Sequence, residues 1–285
     1  MSKLLNKYLS QKDLEEIKEL ETAIQNDVLS ITCMGLYNHG KSTLLNALIK
    51  DFNDTTFATA DVRETSSNKT IQIGSIAYID TPGLNANEND DKRVMDAVKK
   101  SDLNLFIHTV TTGEFVHKEI EFLQSIKQHW SNPTQFIERT IFVISRIDKA
   151  NNQEDIQNTI EKISEQIVDI FEVKPLIVDV SAHRYMKGKK ENKQLMIKKS
   201  NILKLEQLIY DLSNQMKEQV KNTRIKRLEK YYDNLIMQLK SKVEKNKLEI
   251  SNRKRLYKKY LKERQNDITH TEKTLENMYS SLKEL

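Results

Sequence analysis

Gly35-Leu-Tyr-Asn-His-Gly40-Lys41-Ser42 has the spacing G-x-x-x-x-G-K-S. It follows the β-favouring run 28–34 and opens a helix that starts Thr43-Leu44-Leu45-Asn46. Strand, glycine-rich turn and helix in that order make a phosphate cradle. Gly35 and Gly40 let consecutive backbone N–H groups, those of His39 and Thr43 among them, turn inward around a β-phosphate, and the helix N-terminus adds its positive dipole end. Lys41 places a point charge between the β- and γ-phosphates, and Ser42 ligates Mg²⁺. The His39 imidazole points away from such a ligand and is read as incidental.

A second motif, Asp80-Thr81-Pro82-Gly83, ends the strand-like run 76–79. An aspartate there holds Mg²⁺ through water, while the Gly83 amide meets the γ-phosphate and reports its presence. Between the two motifs, Thr55, Thr56, Thr59 and Thr65 all qualify as the threonine that senses the γ-phosphate. Thr65 is favoured because it stands just before the next strand, where its hydroxyl and carbonyl close on Mg²⁺; the competing reading is a surface threonine in a loop.

These two motifs, with Ser145-Arg146-Ile147-Asp148 and Ser181-Ala182, resemble the ordered motifs of translation-factor-type and dynamin-type P-loop GTPases over about 180 residues. The resemblance implies that Asp148 reads guanine N1–H and the 2-amino group, that Arg146 lays its stem across the base, and that Ser181 and Ala182 close the base pocket. Ser145 stands where these families carry asparagine or threonine and so lacks an amide. Position 84 is leucine, where Ras-like enzymes place the glutamine that orients the attacking water. Two substitutes follow from the resemblance. Asn38 resembles the asparagine that holds K⁺ (or Na⁺) beside the phosphates, although an ordinary loop-stabilising amide is the equal reading. The other is a partner, since G domains of this kind meet face to face across their nucleotides.

Within that superclass the chain looks most like a bacterial dynamin-like protein. A helix precedes the G domain, and 108–115 looks like the start of the helix after the fourth strand. The phrase Val180-Ser-Ala-His-Arg-Tyr185 is followed by Gly188 and an insertion, and the chain runs on into long helices. The 72 residues from Asn214 to Leu285 are too few for both a dynamin trunk and a membrane-inserting tip, which implies either a short member working with a larger partner or a chain cut within its helices. The resemblance therefore implies a GTP-hydrolysing protein whose G domains pair as homodimers or hetero-oligomers and move a helical neck in membrane-associated remodelling. Alternatives are an assembly switch with little turnover and a ribosome- or RNA-associated GTPase.

The elements that must position these residues are legible in the punctuation. All six Gly and all three Pro fall before residue 189. Up to that point strand-like runs (28–34, 70–73, 76–79, 103–110, 140–145, 175–180) alternate with helix-length stretches (91–100, 114–129, 152–171), which predicts an α/β fold with a mostly parallel central sheet flanked by helices. Ser10 caps an amphipathic helix over 10–25, and a last helix of the domain spans 200–216. Beyond it, apolar spacing of three and four falters near 246–255 and resumes, predicting a helical hairpin joined near Ser251–Asn252 that bundles with the N-terminal helix. The domain limits are 1–28, 29–212 and 213–285.

The formal net charge is +5, but residues 214–285 hold 19 Lys and Arg against 10 Asp and Glu, so the rest of the chain is acidic. That basic tail admits three readings: a solvated face, an anionic membrane surface, or nucleic acid, with nucleic acid ranked last. Cys33 is the sole cysteine, in an apolar run, which argues for a reducing compartment. No apolar run approaches the length of a membrane span, so a cytoplasmic protein with at most peripheral membrane contact is expected. The six histidines and one cysteine show no metal-ligand spacing, leaving Mg²⁺ as the expected divalent ion.

Overall fold

The computed structural model describes residues 5–25, 27–57, 69–84, 88–130 and 132–283. In chain order the elements are α1 (Leu5–Tyr8), α2 (Gln11–Gln25), β1 (Leu29–Met34), α3 (Lys41–Leu48), β2 (Lys69–Ile73) and β3 (Ile76–Asp80). They continue with α4 (Glu88–Lys100), β4 (Leu103–Thr109), α5 (His117–His129), α6 (Thr134–Glu138), β5 (Thr140–Ser145) and α7 (Gln153–Phe171). The last are β6 (Leu176–Asp179), α8 (Ala182–Lys190), α9 (Gln194–Lys198), α10 (Ile202–Gln215) and α11 (Lys217–Lys283).

The chain divides into two compact units, residues 22–223 and residues 1–21 with 224–285. In the larger unit the six strands lie in the order β2-β3-β1-β4-β5-β6, all parallel except β2, which pairs antiparallel with β3. Strand alternation divides the core between the two faces of the sheet. Leu105, Ile107, Ile141 and Val143 pack with α3, α8, α9 and α10, while Phe106, Phe142 and Ile144 face α4, α5 and α7. Phe106 anchors the second face through ring contacts with Phe115, Phe122 and Phe142 at centroid distances of 5.3, 6.4 and 5.5 Å. Parallel order brings the C-terminal ends of β1, β3, β4 and β5 to one edge, where ligands of such sheets bind.

In the smaller unit Ser10 caps α2 as expected. The Ser10 hydroxyl accepts from the Asp13 amide at 3.2 Å, and the Ser10 amide donates to the Asp13 carboxylate at 3.0 Å. Tyr231 and Tyr232 of α11 donate to Asp13 and Glu21 of α2 at 3.0 and 3.1 Å.

Two expectations are corrected. The predicted joint near Ser251–Asn252 is absent, and α11 runs unbroken through it. The faltering apolar rhythm there reflects Lys, Arg, Glu and Asn, which reduce burial without breaking a helix, and no Gly or Pro is present to stop it. Residues 108–115 are also not the start of a helix: His108 and Thr109 finish β4, a 3₁₀ turn covers Val110–Thr112, and α5 begins only at His117.

Candidate functional site

Gly35 leaves β1 with φ +145°, and a β-carbon there would lie 2.2 Å from the Ile107 carbonyl oxygen. Only glycine permits the chain to pass so close to β4. Asn38 (φ 61°) and Gly40 (φ 89°) are also left-handed, curling the loop back before α3. Asn38 is exposed, and Thr43 sits in the first turn of α3, half-buried. Lys41 is buried, and its ammonium donates to the Gly35 and Leu36 carbonyls at 3.1 and 3.0 Å. Burial pulls its pKa below the ordinary lysine value, against the opposing field of Asp80.

Asp80, ending β3, accepts from the Ser42 hydroxyl at 2.9 Å. Burial pushes its carboxyl above the usual range, outweighing Lys41 and the Ser42 hydrogen bond. Its Oδ1 is buried without a hydrogen-bond partner. A hydroxyl and a carboxylate oxygen at contact distance, with one oxygen orphaned, are hard donors that fit Mg²⁺.

Beyond Asp80 the chain stays against the cradle. Thr81 donates to the Cys33 carbonyl at 2.8 Å, and Leu84 donates its amide to the Gly35 carbonyl at 3.1 Å. A β-carbon on Gly83 would lie 2.9 Å from the Tyr37 amide nitrogen, so glycine is what allows this approach. Leu84 itself is 2% exposed, in the core with Phe106 and Val94. Thr59 and the favoured Thr65 lie outside the described residues. Thr55 and Thr56 lie within them, their amides both held by the Asp51 carboxylate, at 2.8 and 2.6 Å.

The residues expected to read the base come together at the neighbouring strand ends. Arg146 takes a left-handed turn (φ 59°) after β5, and a 3₁₀ turn (Ile147–Lys149) carries Asp148. The Ser181 hydroxyl donates to the Asp148 carboxylate and accepts from the Arg184 amide at 3.0 Å, so one serine both caps α8, which begins at Ala182, and orients Asp148. Ser145 keeps a role despite lacking an amide, because its hydroxyl donates to the His39 carbonyl at 2.6 Å and ties this loop to the phosphate cradle.

Sequence reasoning missed what lies beneath the cradle. The His39 ring is buried, its Nδ1 3.5 Å from Oε1 of Glu119, a residue of α5 that is fully buried. His108, at the end of β4, lies 2.9 and 3.0 Å from the two Glu119 oxygens through Nδ1 and 3.0 Å from the Gly113 carbonyl through Nε2. Burial disfavours the Glu119 carboxylate, but the His108 and His39 imidazoles beside it outweigh this and hold its pKa below the ordinary glutamate value. Separations of 69 and 11 residues along the chain follow no ligand spacing, so only the fold reveals this group.

Residues 30–146 match the family model described as 50S ribosome-binding GTPase. An uncharacterized protein of Acinetobacter baylyi is 34% identical over 178 residues, covering 61% of this chain and 39% of the relative, so this chain spans well under half of that protein. Among solved structures, the LeoA bacterial dynamin GTPase from ETEC superposes with a TM-score of 0.56 at 17% identity, covering 80% of this chain and 43% of that one. A chain of an oligomerised bacterial dynamin pair superposes at 0.54 with 17% identity, covering 98% and 62%. At such identities these two likenesses establish the fold.

Proposed function

Because this chain carries a P-loop GTPase domain, we propose that it binds GTP with Mg²⁺ and hydrolyses it through G-domain assembly, as a dynamin-like protein. The observation that carries the assembly reading is Leu84. The residue after Asp-Thr-Pro-Gly is turned into the core, so no side chain from that position reaches an attacking water. The water must be oriented from elsewhere, by a second G domain or through a monovalent cation at exposed Asn38.

In this reading the cradle amides and Lys41 hold the phosphates, Ser42 and Asp80 hold Mg²⁺ with Thr65, and Gly83 meets the γ-phosphate. When bound, Mg²⁺ neutralises charge on the phosphate oxygens. Asp148, Arg146, Ser181 and Ala182 form the guanine pocket, and the Ser145 tie keeps base and phosphate subsites in register. The dynamin-like overlays of the solved structures support the further reading that nucleotide-dependent assembly moves the terminal helices at an anionic membrane. No helix among the described residues is long and apolar enough to cross a membrane, and in this reading the contact uses the exposed Lys and Arg side chains of net-basic α11.

The deciding experiment is phosphate release from GTP and Mg²⁺, titrated over protein concentration in K⁺ and then Na⁺ buffers, with Lys41→Ala as the blank. Specific activity that rises with concentration supports this function. A flat, near-zero rate with tight GTP binding would make the chain an assembly switch instead. The name of the matching family favours a second reading, ribosome association; nucleotide-dependent co-sedimentation with 50S subunits would establish it.

A further inference from the structure

We propose that His39, His108 and Glu119 form a binding site for a transition-metal dication of the zinc type, distinct from the Mg²⁺ site and built into the underside of the phosphate cradle. The ligand atoms, two imidazole nitrogens and a carboxylate oxygen, all lie within 4.8 Å of one another and come from buried residues. Nitrogen ligands with one carboxylate suit Zn²⁺, Co²⁺ or Ni²⁺ rather than Mg²⁺.

The hydrogen-bond inventory favours a cation here. A carbonyl only accepts, so the Gly113 oxygen fixes a proton on His108 Nε2. In neutral His108 the Nδ1 lone pair then faces two carboxylate oxygens at 2.9 and 3.0 Å, an acceptor against acceptors. Glu119 is already oriented by the Val116 amide, which donates to its Oε2 at 3.1 Å. A proton on Nδ1 would answer the His108 contact alone. It leaves the His39 Nδ1, buried and without a hydrogen-bond partner, 3.5 Å from the same carboxylate. A metal dication answers all three groups together.

The surroundings have the form of an outer coordination shell. Metal-bound histidines donate their other ring N–H to a carbonyl or carboxylate, as His108 does to Gly113, and ligating carboxylates are themselves hydrogen-bonded, as Glu119 is by Val116. The separations of the two imidazole Nδ1 atoms from Glu119 Oε1, 2.9 and 3.5 Å, match the edge of a coordination polyhedron with bonds of about 2.0–2.1 Å. His39 stands between Asn38 and Gly40, so an ion at this site would clamp the cradle to β4 and α5 and make nucleotide affinity depend on zinc.

The test uses the full chain, stripped with chelator and titrated with Zn²⁺ and, separately, Co²⁺. The expected result is one ion per chain after gel filtration by elemental analysis, with a Co²⁺ ligand-field spectrum showing nitrogen ligation. Glu119→Gln and His108→Ala should lose affinity by at least the roughly 10–100-fold typical of losing even an outer-shell partner. Asp80→Asn should bind zinc as the unmutated chain does. Retention of the ion by both cluster variants would overturn the proposal by placing it elsewhere. Should those variants fail to fold, ¹⁵N NMR of the metal-free and Zn²⁺-treated chain decides the matter. A Zn²⁺-induced shift of the His108 Nδ1 and His39 nitrogen signals, with the His108 Nε2–H kept, supports the site. A His108 ring that carries both N–H protons with and without Zn²⁺ would show an imidazolium–carboxylate pair and no metal site.

Discussion

Single atoms around the cradle are arranged for ligands more than for stability. Lys41 spends its ammonium on two loop carbonyls, and Asp80 keeps a carboxylate in a place that resists ionisation. Asp80→Asn should therefore raise the melting temperature of the nucleotide-free chain by roughly 2–4 °C, an effect on the order of 1 kcal/mol in a domain of this size, while abolishing the extra stabilisation that Mg²⁺ gives with GTP. Scanning calorimetry with and without Mg²⁺ checks both halves, and an unchanged Mg²⁺ response would remove Asp80 from the site. Ser145→Ala should cut the tie to the His39 carbonyl and weaken GTP and GDP binding alike, by about 1 kcal/mol or some fivefold, measured by fluorescent-nucleotide titration. These roles differ in how legible they were. The glycines of the loop are legible because its backbone conformation requires them at Gly35 and Gly40. Ser145, by contrast, acts through a carbonyl that no motif displays, and the His39–Glu119–His108 group joins residues whose proximity depends on where β4 and α5 end.

At the level of elements, the strands are readable because each is a short run rich in β-branched, aliphatic or aromatic residues between turn signals, buried throughout in β4 and β5 and largely exposed in β2. The short α6, α8 and α9 were not read, since five to nine residues hold too little periodicity to separate them from loop. The unbroken α11 is hidden from the sequence because exposed polar residues erase the apolar rhythm without ending the helix. Phe106→Ala should cost about 3–5 kcal/mol by emptying the centre of the aromatic cluster, seen as a lower denaturation midpoint. The Asp13–Tyr231 bond gives α2 and α11 a pH window. Hydrogen bonds from Ser10 and Tyr231 keep the Asp13 pKa low, so its contribution is present above the ordinary aspartate value and lost as pH falls through the lowered one. Partial burial and the bond to Asp13 push the Tyr231 hydroxyl up to about 12, so its contribution holds below its ordinary value of 10.0 and is lost as pH rises towards 12. Tyr231→Phe should erase the alkaline loss, with a total effect under about 1 kcal/mol because the pair is largely solvated.

For the whole molecule, the two units should answer to different probes. Trp130, the sole tryptophan, packs against the core of residues 22–223, whereas the α11 side chains described from Lys240 onward are exposed. On heating, far-UV circular dichroism should begin to fall before tryptophan fluorescence changes, and GTP should shift the fluorescence transition upward more than the early loss of helix. Coincident transitions would mean that the exposed apolar residues of α11, such as Leu256 and Ile268, are covered by another chain in solution.

Cys33 offers a way to watch the nucleotide site without adding a label. It lies in β1 in register with Asp80, is fully buried, and has its thiol pKa pushed well up by that burial. A thiol reagent can reach it only when the sheet opens behind the cradle, so its reaction rate times that opening, and bound GTP should lengthen the interval. A cysteine placed on the surface would then take a dye alone, with the native thiol left in place as an internal clock.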